Sequence, residues 1–392
     1  MAAKVIHAVT ISESLVFLEG QLKYLNSRGY DAKALSSNGG FAEEFADKEG
    51  TQVLLLDMER EISLAKDFGA LIKCIRILRQ EKPDIVNAST PKAGLIVTLA
   101  ALICGVPIRI YNMRGLRLET TGGLKRRILL AAEKVSAGAA THCLAVSNSL
   151  RDQVIDFKIA DSRKISVLGK GSGDGFDVGR FQLDSEKERE MKELKTAYGF
   201  GPDDLVLGFA GRLTNDKGIT ELVNVFEHLA RKYENLKLLI VGNYESTDPV
   251  AEETKSKIEG HPDITFTGFQ KDPVPFFHMM DVFVFLTKRE GFGNVSIEAA
   301  LSGIPVVVSN VTGAKDTIVD GRNGFLVDGE NQEDIAEKLE LLILAPELRA
   351  QMGEFGQRWA ADNFSNATIW NELDGFYQQC MAERLRTARQ VL

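Results

Sequence analysis

Glu290 and Glu298 bracket a short segment that holds Gly291, Phe292, Gly293, Asn294 and Val295. A β-forming run, Val282–Leu286, precedes it. A short helical pattern follows, stops at Gly303-Ile304-Pro305, and gives way to a second β-run at Val306–Val308. The order is strand, glycine-rich loop, helix N-terminus, strand. Gly291 and Gly293 allow backbone to approach a ligand closely. Asn294 is the expected N-cap, with the following amides turned toward the loop, where an anion can rest. One carboxylate lies on the loop and the other about a turn into the helix. Both can reach hydroxyls of a ligand whose phosphates sit at the helix end, which describes a sugar nucleotide. The alternative is an ordinary strand–helix–strand crossover carrying two solvated glutamates.

A second loop weighs against that alternative. Gly211-Arg212-Leu213-Thr214-Asn215-Asp216-Lys217-Gly218 follows the β-run Leu205–Phe209 and precedes a helix expected near Ile219. Breaking the bond between a sugar and a nucleoside diphosphate builds negative charge on the departing phosphates, and fixed cations stabilise that charge. Arg212 can bond two phosphate oxygens, and Lys217 adds a point charge on a flexible stem. No Asp-x-Asp occurs in the chain, so a motif that can hold a divalent cation against a diphosphate is missing. The two side-chain cations are expected to serve instead, without metal or cofactor.

Together the E-x7-E segment, intact over Glu290–Ala300, and the complete G-R-L-x-x-x-K-G loop resemble the signatures of the retaining family 4 glycosyltransferases with the GT-B fold. The resemblance implies roles for Arg212, Lys217 and Glu290 in catalysis, with Glu290 on hydroxyls of the donor sugar. It implies donor binding by Gly211, Gly242, Gly268, Phe269, Gly291, Phe292, Gly293, Asn294, Val295 and Glu298. Within that set, Glu298 would hold the ribose, the amides of Asn294 and Val295 the phosphates, and the Gly268-Phe269 turn the base. The first half departs from the commonest family pattern. Thr10-Ile11-Ser12-Glu13-Ser14 stands where many members have a glycine pair, and Asn112-Met113-Arg114-Gly115 where many have a histidine. Ser12, Ser14 and Arg114 are therefore candidates for ligand contact, although the two serines could equally cap a helix. Thr90 and Lys92, within Ser89–Gly94, and Arg117, within Arg114–Arg117, lie in segments similar to those of capsule and O-antigen transferases. They are the remaining acceptor-side candidates. The partners so implied are a nucleotide sugar, UDP-linked by expectation, and a polyprenyl-diphosphate-linked saccharide.

These loops need a scaffold. Of the 392 residues, 44% are hydrophobic, ample for two buried cores. β-runs at Val5–Val9, Ala32–Leu35, Val53–Leu56, Ile85–Ala88, Ile108–Tyr111, Cys143–Val146 and Ile165–Leu168 alternate with helical patterns such as Leu15–Ser27, Phe68–Gln80 and Leu124–Ser136. A glycine-rich break at Gly169–Asp177 and a charged helix over Asp184–Lys195 follow, and the alternation then resumes. The expected fold is α/β: two doubly wound, Rossmann-like domains, over residues 1–170 and 171–365. Resemblance to GT-B places a cleft between them and returns a C-terminal helix, 366–392, to the first domain, with Trp359 and Trp370 as candidate anchors. His7 and His142 read as core or strand-end residues.

Cysteines 74, 104, 143 and 380 have no metal-site or disulfide spacing. No signal peptide or membrane span is evident, which suggests a cytoplasmic chain. Residues 1–170 carry a net charge of +6 and residues 171–392 one of −14. Nucleic acid is not an expected partner, because no arginine-rich or aromatic-interleaved segment occurs. Lys125-Arg126-Arg127 opens an amphipathic pattern through Ile128, Leu129, Leu130 and Val135. That pattern fits either peripheral contact with anionic membrane or an apolar face packed into the first domain. A dehydrogenase would need G-x-G-x-x-G after the first strand, which is lacking. A sugar-nucleotide 2-epimerase and a non-catalytic sugar-nucleotide-binding protein remain as alternatives to a transferase.

Overall fold

A computed structural model of the chain describes residues 2–59 and 63–391. It divides into two compact units, one formed by Met1–Gly175 with Asn366–Leu392 and the other by Phe176–Ser365.

Among the described residues the first unit holds seven strands: β1 (Lys4–Ala8), β2 (Asp31–Ser36), β3 (Val53–Leu55), β4 (Ile85–Ser89), β5 (Ile108–Met113), β6 (His142–Ala145) and β7 (Ile165–Ser166). They are all parallel, in the order β3-β2-β1-β4-β5-β6-β7. Alternate residues of β1 serve opposite faces, as a pleated strand requires. Val5 packs with Leu15, Leu22 and Tyr377, whereas Ile6 and Ala8 pack with Ile96, Val97 and Leu78. The second unit holds β8 (Leu205–Ala210), β9 (Leu236–Val241), β10 (Ile264–Phe266), β11 (Val282–Phe285), β12 (Val306–Ser309) and β13 (Gly324–Val327). Their order is β10-β9-β8-β11-β12-β13, again parallel, around one continuous core. Strands with both faces covered read as unbroken apolar runs. That is why Leu205–Ala210 and Val282–Phe285 are buried throughout.

In each sheet the winding direction reverses between two central strands, β1/β4 and β8/β11. Such a reversal opens a crevice at the strands' C-terminal ends. The Gly211–Gly218 loop leaves β8 and the Lys288–Gly293 loop follows β11, so both motifs border the reversal of the second sheet.

Some elements differ from expectation. The pattern Leu15–Ser27 is not one helix: a 3-10 turn over Ser12–Leu18 is followed by a short helix, Gln21–Ser27. Gly20 separates them: its φ of +76° is left-handed, and the Trp370 ring lies where a side chain would be. Helix Asn294–Leu301 is capped by Gly293, not Asn294: its φ of +88° is a left-handed conformation that glycine adopts without strain. Trp359 lies in helix Pro346–Phe364 and its ring packs on Phe364 within the second unit, a contact that does not involve the returning helix.

Trp370 does anchor it. On helix Asn366–Val391 its indole donates to the Asp174 carbonyl (2.8 Å) and its ring rests on Tyr24. Further along, Tyr30 and Arg28 both bond Asp374. The buried Tyr377 hydroxyl sits between His7 Nε2 (2.7 Å) and the Asn87 amide (2.8 Å). Burial, with Arg114 nearby, lowers the His7 imidazole to about 3, so it is neutral and accepts from Tyr377. Tyr377→Phe should strand two buried polar groups and destabilise the protein by about 1–3 kcal/mol. The check is urea unfolding; an unchanged midpoint would show that this latch contributes nothing.

Candidate active site

The two motif loops of the second unit come from neighbouring strands and are fastened by one residue, Asp216, through both its carboxylate and its main-chain carbonyl. Asp216 accepts from Thr214 Oγ1 (2.6 Å) and pairs with Arg289 Nη2 (2.9 Å). Its carbonyl accepts from Lys288 N (2.7 Å) and Thr287 Oγ1 (3.1 Å). Burial pushes this carboxyl up, but Thr214, Lys217 and Arg289 outweigh it and hold it below the usual aspartate range. Gly218 makes the approach possible: its φ is +70°, and an added Cβ would lie 2.0 Å from the Leu286 carbonyl oxygen. Lys217 Nζ consequently reaches Glu290 Oε2 (2.5 Å) across the junction. The other oxygen of Glu290 accepts from Gly291 N (3.0 Å).

Beside this pair lies a cavity of about 560 Å³ whose lining includes Gly211, Arg212, Gly242, Phe269, Val295 and Glu298. Arg212 forms an ion pair with Glu245 (2.9 Å). Phe269 is 71% exposed, an unusual state for so large an apolar ring. Its amide donates to Asn243 Oδ1 (2.9 Å), and Gly242 N donates to the Gly268 carbonyl (2.9 Å), so the turn after β10 is tied to the loop after β9. Glu298 opens partly into the cavity but is otherwise enclosed. Desolvation pushes its carboxyl up to about 7, with Arg180 opposing and Asp272 adding to the rise.

The expected donor residues thus divide. Arg212, Gly211, Gly242, Phe269, Val295 and Glu298 line one cavity. Gly268, Gly291, Gly293 and Asn294 form the turns that border it. Lys217 and Glu290 close on each other. Phe292 is core: 4% exposed, it packs on Phe364. Asn243, Tyr244, Glu245, Gln270 and Pro273 also line the cavity and were not singled out from sequence. The available signal was position, since Asn243–Glu245 directly follow β9, the neighbour of β8.

In the first unit the candidates follow β1, β4 and β5. Thr90 has φ +74°, strained for a β-branched residue, and its Oγ1 bonds Thr10 Oγ1 (2.6 Å) and Thr10 N (3.2 Å) across the strand reversal. Lys92 is committed to Asp67 (2.8 Å). Arg114 pairs with Asp174 (2.6 Å) and lies over the Phe17 ring. Ser12 is buried in the 3-10 turn that also contains the half-buried Ser14, and Ile11, not a serine, occupies its N-cap. Arg117 is exposed. Among the described residues no group of three His, Cys, Asp or Glu side chains is placed to hold a metal ion.

Comparison with known proteins fits this geometry. Residues 190–359 match the family "Glycosyl transferases group 1", and residues 16–171 match "Glycosyl transferase 4-like domain". A capsular polysaccharide biosynthesis glycosyltransferase from Staphylococcus aureus is 41% identical over 381 residues, covering 97% of this chain and 98% of the relative. An Escherichia coli UDP-Gal:alpha-D-GlcNAc-diphosphoundecaprenol alpha-1,3-galactosyltransferase is 24% identical over 311 residues, 79% of each chain. Among solved structures, an Anabaena protein in complex with UDP and glucose superposes with a TM-score of 0.79 at 19% identity, covering 96% of this chain and 100% of that one. The chain belongs to the group 1 glycosyltransferases with a 4-like N-terminal domain and the GT-B fold, and it acts in capsular or cell-envelope polysaccharide synthesis.

Proposed function

We propose that the chain moves a hexose or N-acetylhexosamine from a UDP-linked donor to a polyprenyl-diphosphate-linked saccharide, with retention of configuration and without a metal. The observation that carries this reading is the cavity that joins Arg212, Glu298 and the exposed Phe269, beside the Lys217–Glu290 pair. Phe269 offers a stacking face for uracil, Glu298 an acceptor for ribose hydroxyls, and the two cations a seat for the diphosphate. The Anabaena structure contains UDP and glucose, and the Escherichia coli relative is named for a UDP-sugar donor and a diphosphoundecaprenol acceptor; both support the choice of partners.

In the proposed reaction the bond between the anomeric carbon and the β-phosphate oxygen breaks. The acceptor oxygen bonds that carbon from the same face, and its proton passes to the departing diphosphate. Arg212 and Lys217 hold the charge that develops. Glu290 has both oxygens engaged, by Lys217 and Gly291 N, which suits it to orient sugar hydroxyls. On the acceptor side Thr90 and Lys92 shape their loop through Thr10 and Asp67, leaving Ser14, Arg114 and Arg117 as the candidates for contact.

A lipid-linked acceptor requires the enzyme to visit a membrane. No helix among the described residues is long and apolar enough to cross one. Helix Gly123–Ala139 offers a peripheral contact: Leu124, Ile128 and Val135 are exposed along one stripe and not packed inward. Exposed Arg127 and Lys134 flank the stripe on one side and Lys125 on the other, while Glu133, Ser136 and Ala137 are buried. Apolar insertion and attraction to anionic lipid would act together on this face, each cation adding about 1 kcal/mol.

Three measurements test these readings. Lys217→Ala should cut turnover of a UDP-sugar by roughly 10²–10³, and wild-type turnover should persist in excess chelator; an active variant, or a loss restored by magnesium, would contradict the cation assignment. Uridine, which has no phosphate to titrate, should bind better as the pH rises through about 7 and level off above it, because only ionised Glu298 accepts two ribose hydroxyls. Glu298→Gln should flatten that profile, and a flat wild-type profile would remove Glu298 from the ribose. Finally, the protein should co-sediment with anionic vesicles at low salt, and joint replacement of Lys125, Arg126 and Arg127 by Glu should abolish this while UDP binding persists. Unchanged sedimentation would place the membrane contact elsewhere.

A further inference from the structure

The two cations assigned to the diphosphate are both paired with carboxylates, but in different settings. Lys217 and Glu290 are largely shielded, their side chains 12% and 24% exposed, and Gly291 N holds the second carboxylate oxygen. Arg212 and Glu245 are open, at 58% and 31%. Only Nη1 of the guanidinium meets Glu245, through a single oxygen at 2.9 Å. Exposed pairs of this kind contribute little and exchange readily.

Glu245 is nevertheless not a chance neighbour. The loop after β9 runs along the phosphate loop as a short parallel bridge: Leu213 N donates to the Asn243 carbonyl (2.8 Å) and Glu245 N to the Leu213 carbonyl (3.3 Å). Asn215 N and Asp216 N continue the contact to Asp248. Main chain therefore sets Glu245 beside Arg212, and Thr247 Oγ1 donates to the same carboxylate oxygen that Arg212 uses (3.3 Å). Both Arg212 and Glu245 line the 560 Å³ cavity.

We propose that Glu245 is a displaceable counter-ion of Arg212, which a nucleoside diphosphate must displace on entry and which reclaims the guanidinium as the diphosphate leaves. The inference rests on the nucleotide-sugar reading of the cavity. A diphosphate can bond the guanidinium fork through two oxygens, whereas Glu245 uses one. The phosphate therefore wins the contact, but the displaced carboxylate remains close enough to repel it. The chain accordingly trades retention of the diphosphate for its release. Lys217, locked to Glu290, holds its position throughout.

The test is calorimetric titration of the full chain and of Glu245→Gln with UDP and with uridine. The variant should bind UDP about tenfold more tightly, the scale of one unit charge near another in partly solvated surroundings, and high salt should narrow the difference. Uridine, which has no diphosphate, should bind both proteins alike. UDP affinity that is unchanged or weaker in Glu245→Gln would overturn the proposal and make Glu245 a support that orients Arg212. Equal tightening of uridine would also overturn it, as an effect on the nucleoside pocket. If Glu245→Gln melts below the wild type, Glu245→Ala is measured under the same criteria. Failure of the wild type to bind UDP or uridine at all would instead remove the nucleotide reading on which the inference stands.

Discussion

Asp216 joins two segments that the sheet alone leaves separate. Strands β8 and β11 are neighbours, yet the loops that leave them are free to diverge at their C-terminal ends. By accepting from Thr214, Thr287, Lys288 and Arg289, Asp216 stitches the cationic loop to the acidic one. The distance between Lys217 and Glu290 follows from that stitch. The half-buried carboxylate is costly to disrupt, because removing it would leave Arg289 and Thr214 without their acceptor, while Lys288 and Thr287 would keep the Asp216 main-chain carbonyl. The positions of the groups assigned to the sugar and diphosphate thus depend on an interaction that touches neither.

Much of this arrangement is written in local sequence. The strand–loop–helix order around Glu290 and Glu298, the Arg212–Gly218 loop, and the alternation that makes two doubly wound sheets all depend on neighbours a few residues apart. Periodicity and glycine placement report such features directly. The pairs that finish the site are of another kind. Asp216 meets Arg289, Asn243 meets Phe269 and Arg212 meets Glu245 only after β8, β9, β10 and β11 lie side by side. No local pattern marks those partners.

The elements that differ from their sequence pattern have the same origin. Leu15–Ser27 has a helical period, but Gly20 turns left-handed within it, and the Trp370 ring, contributed from the far end of the chain, fills the space a side chain there would take. Trp359 and Trp370 are equivalent by composition and proximity, and only the chain's crossing at Ser365–Asn366 assigns them to different units. The face of helix Gly123–Ala139 was open to two readings because an apolar stripe looks alike whether covered or bare. Covering depends on neighbouring elements, and among the described residues Leu124, Ile128 and Val135 are left exposed.

Net charge and local charge oppose each other around the cavity. Residues 176–365, the second unit, carry a net charge of −13, so an anionic nucleotide meets an adverse field over that surface. At physiological ionic strength such a field decays over about 8 Å. Contacts at hydrogen-bond distance, by contrast, are hardly screened, so Arg212 and Lys217 decide whether phosphate is held once it arrives. The carboxylates beside them temper that hold. A site with bare cations would keep its diphosphate product, and one with fully committed cations would not recruit the donor. Lys217 in a shielded pair and Arg212 in an open one lie between those limits, a balance suited to a group that must be bound, charged further as its bond breaks, and then released.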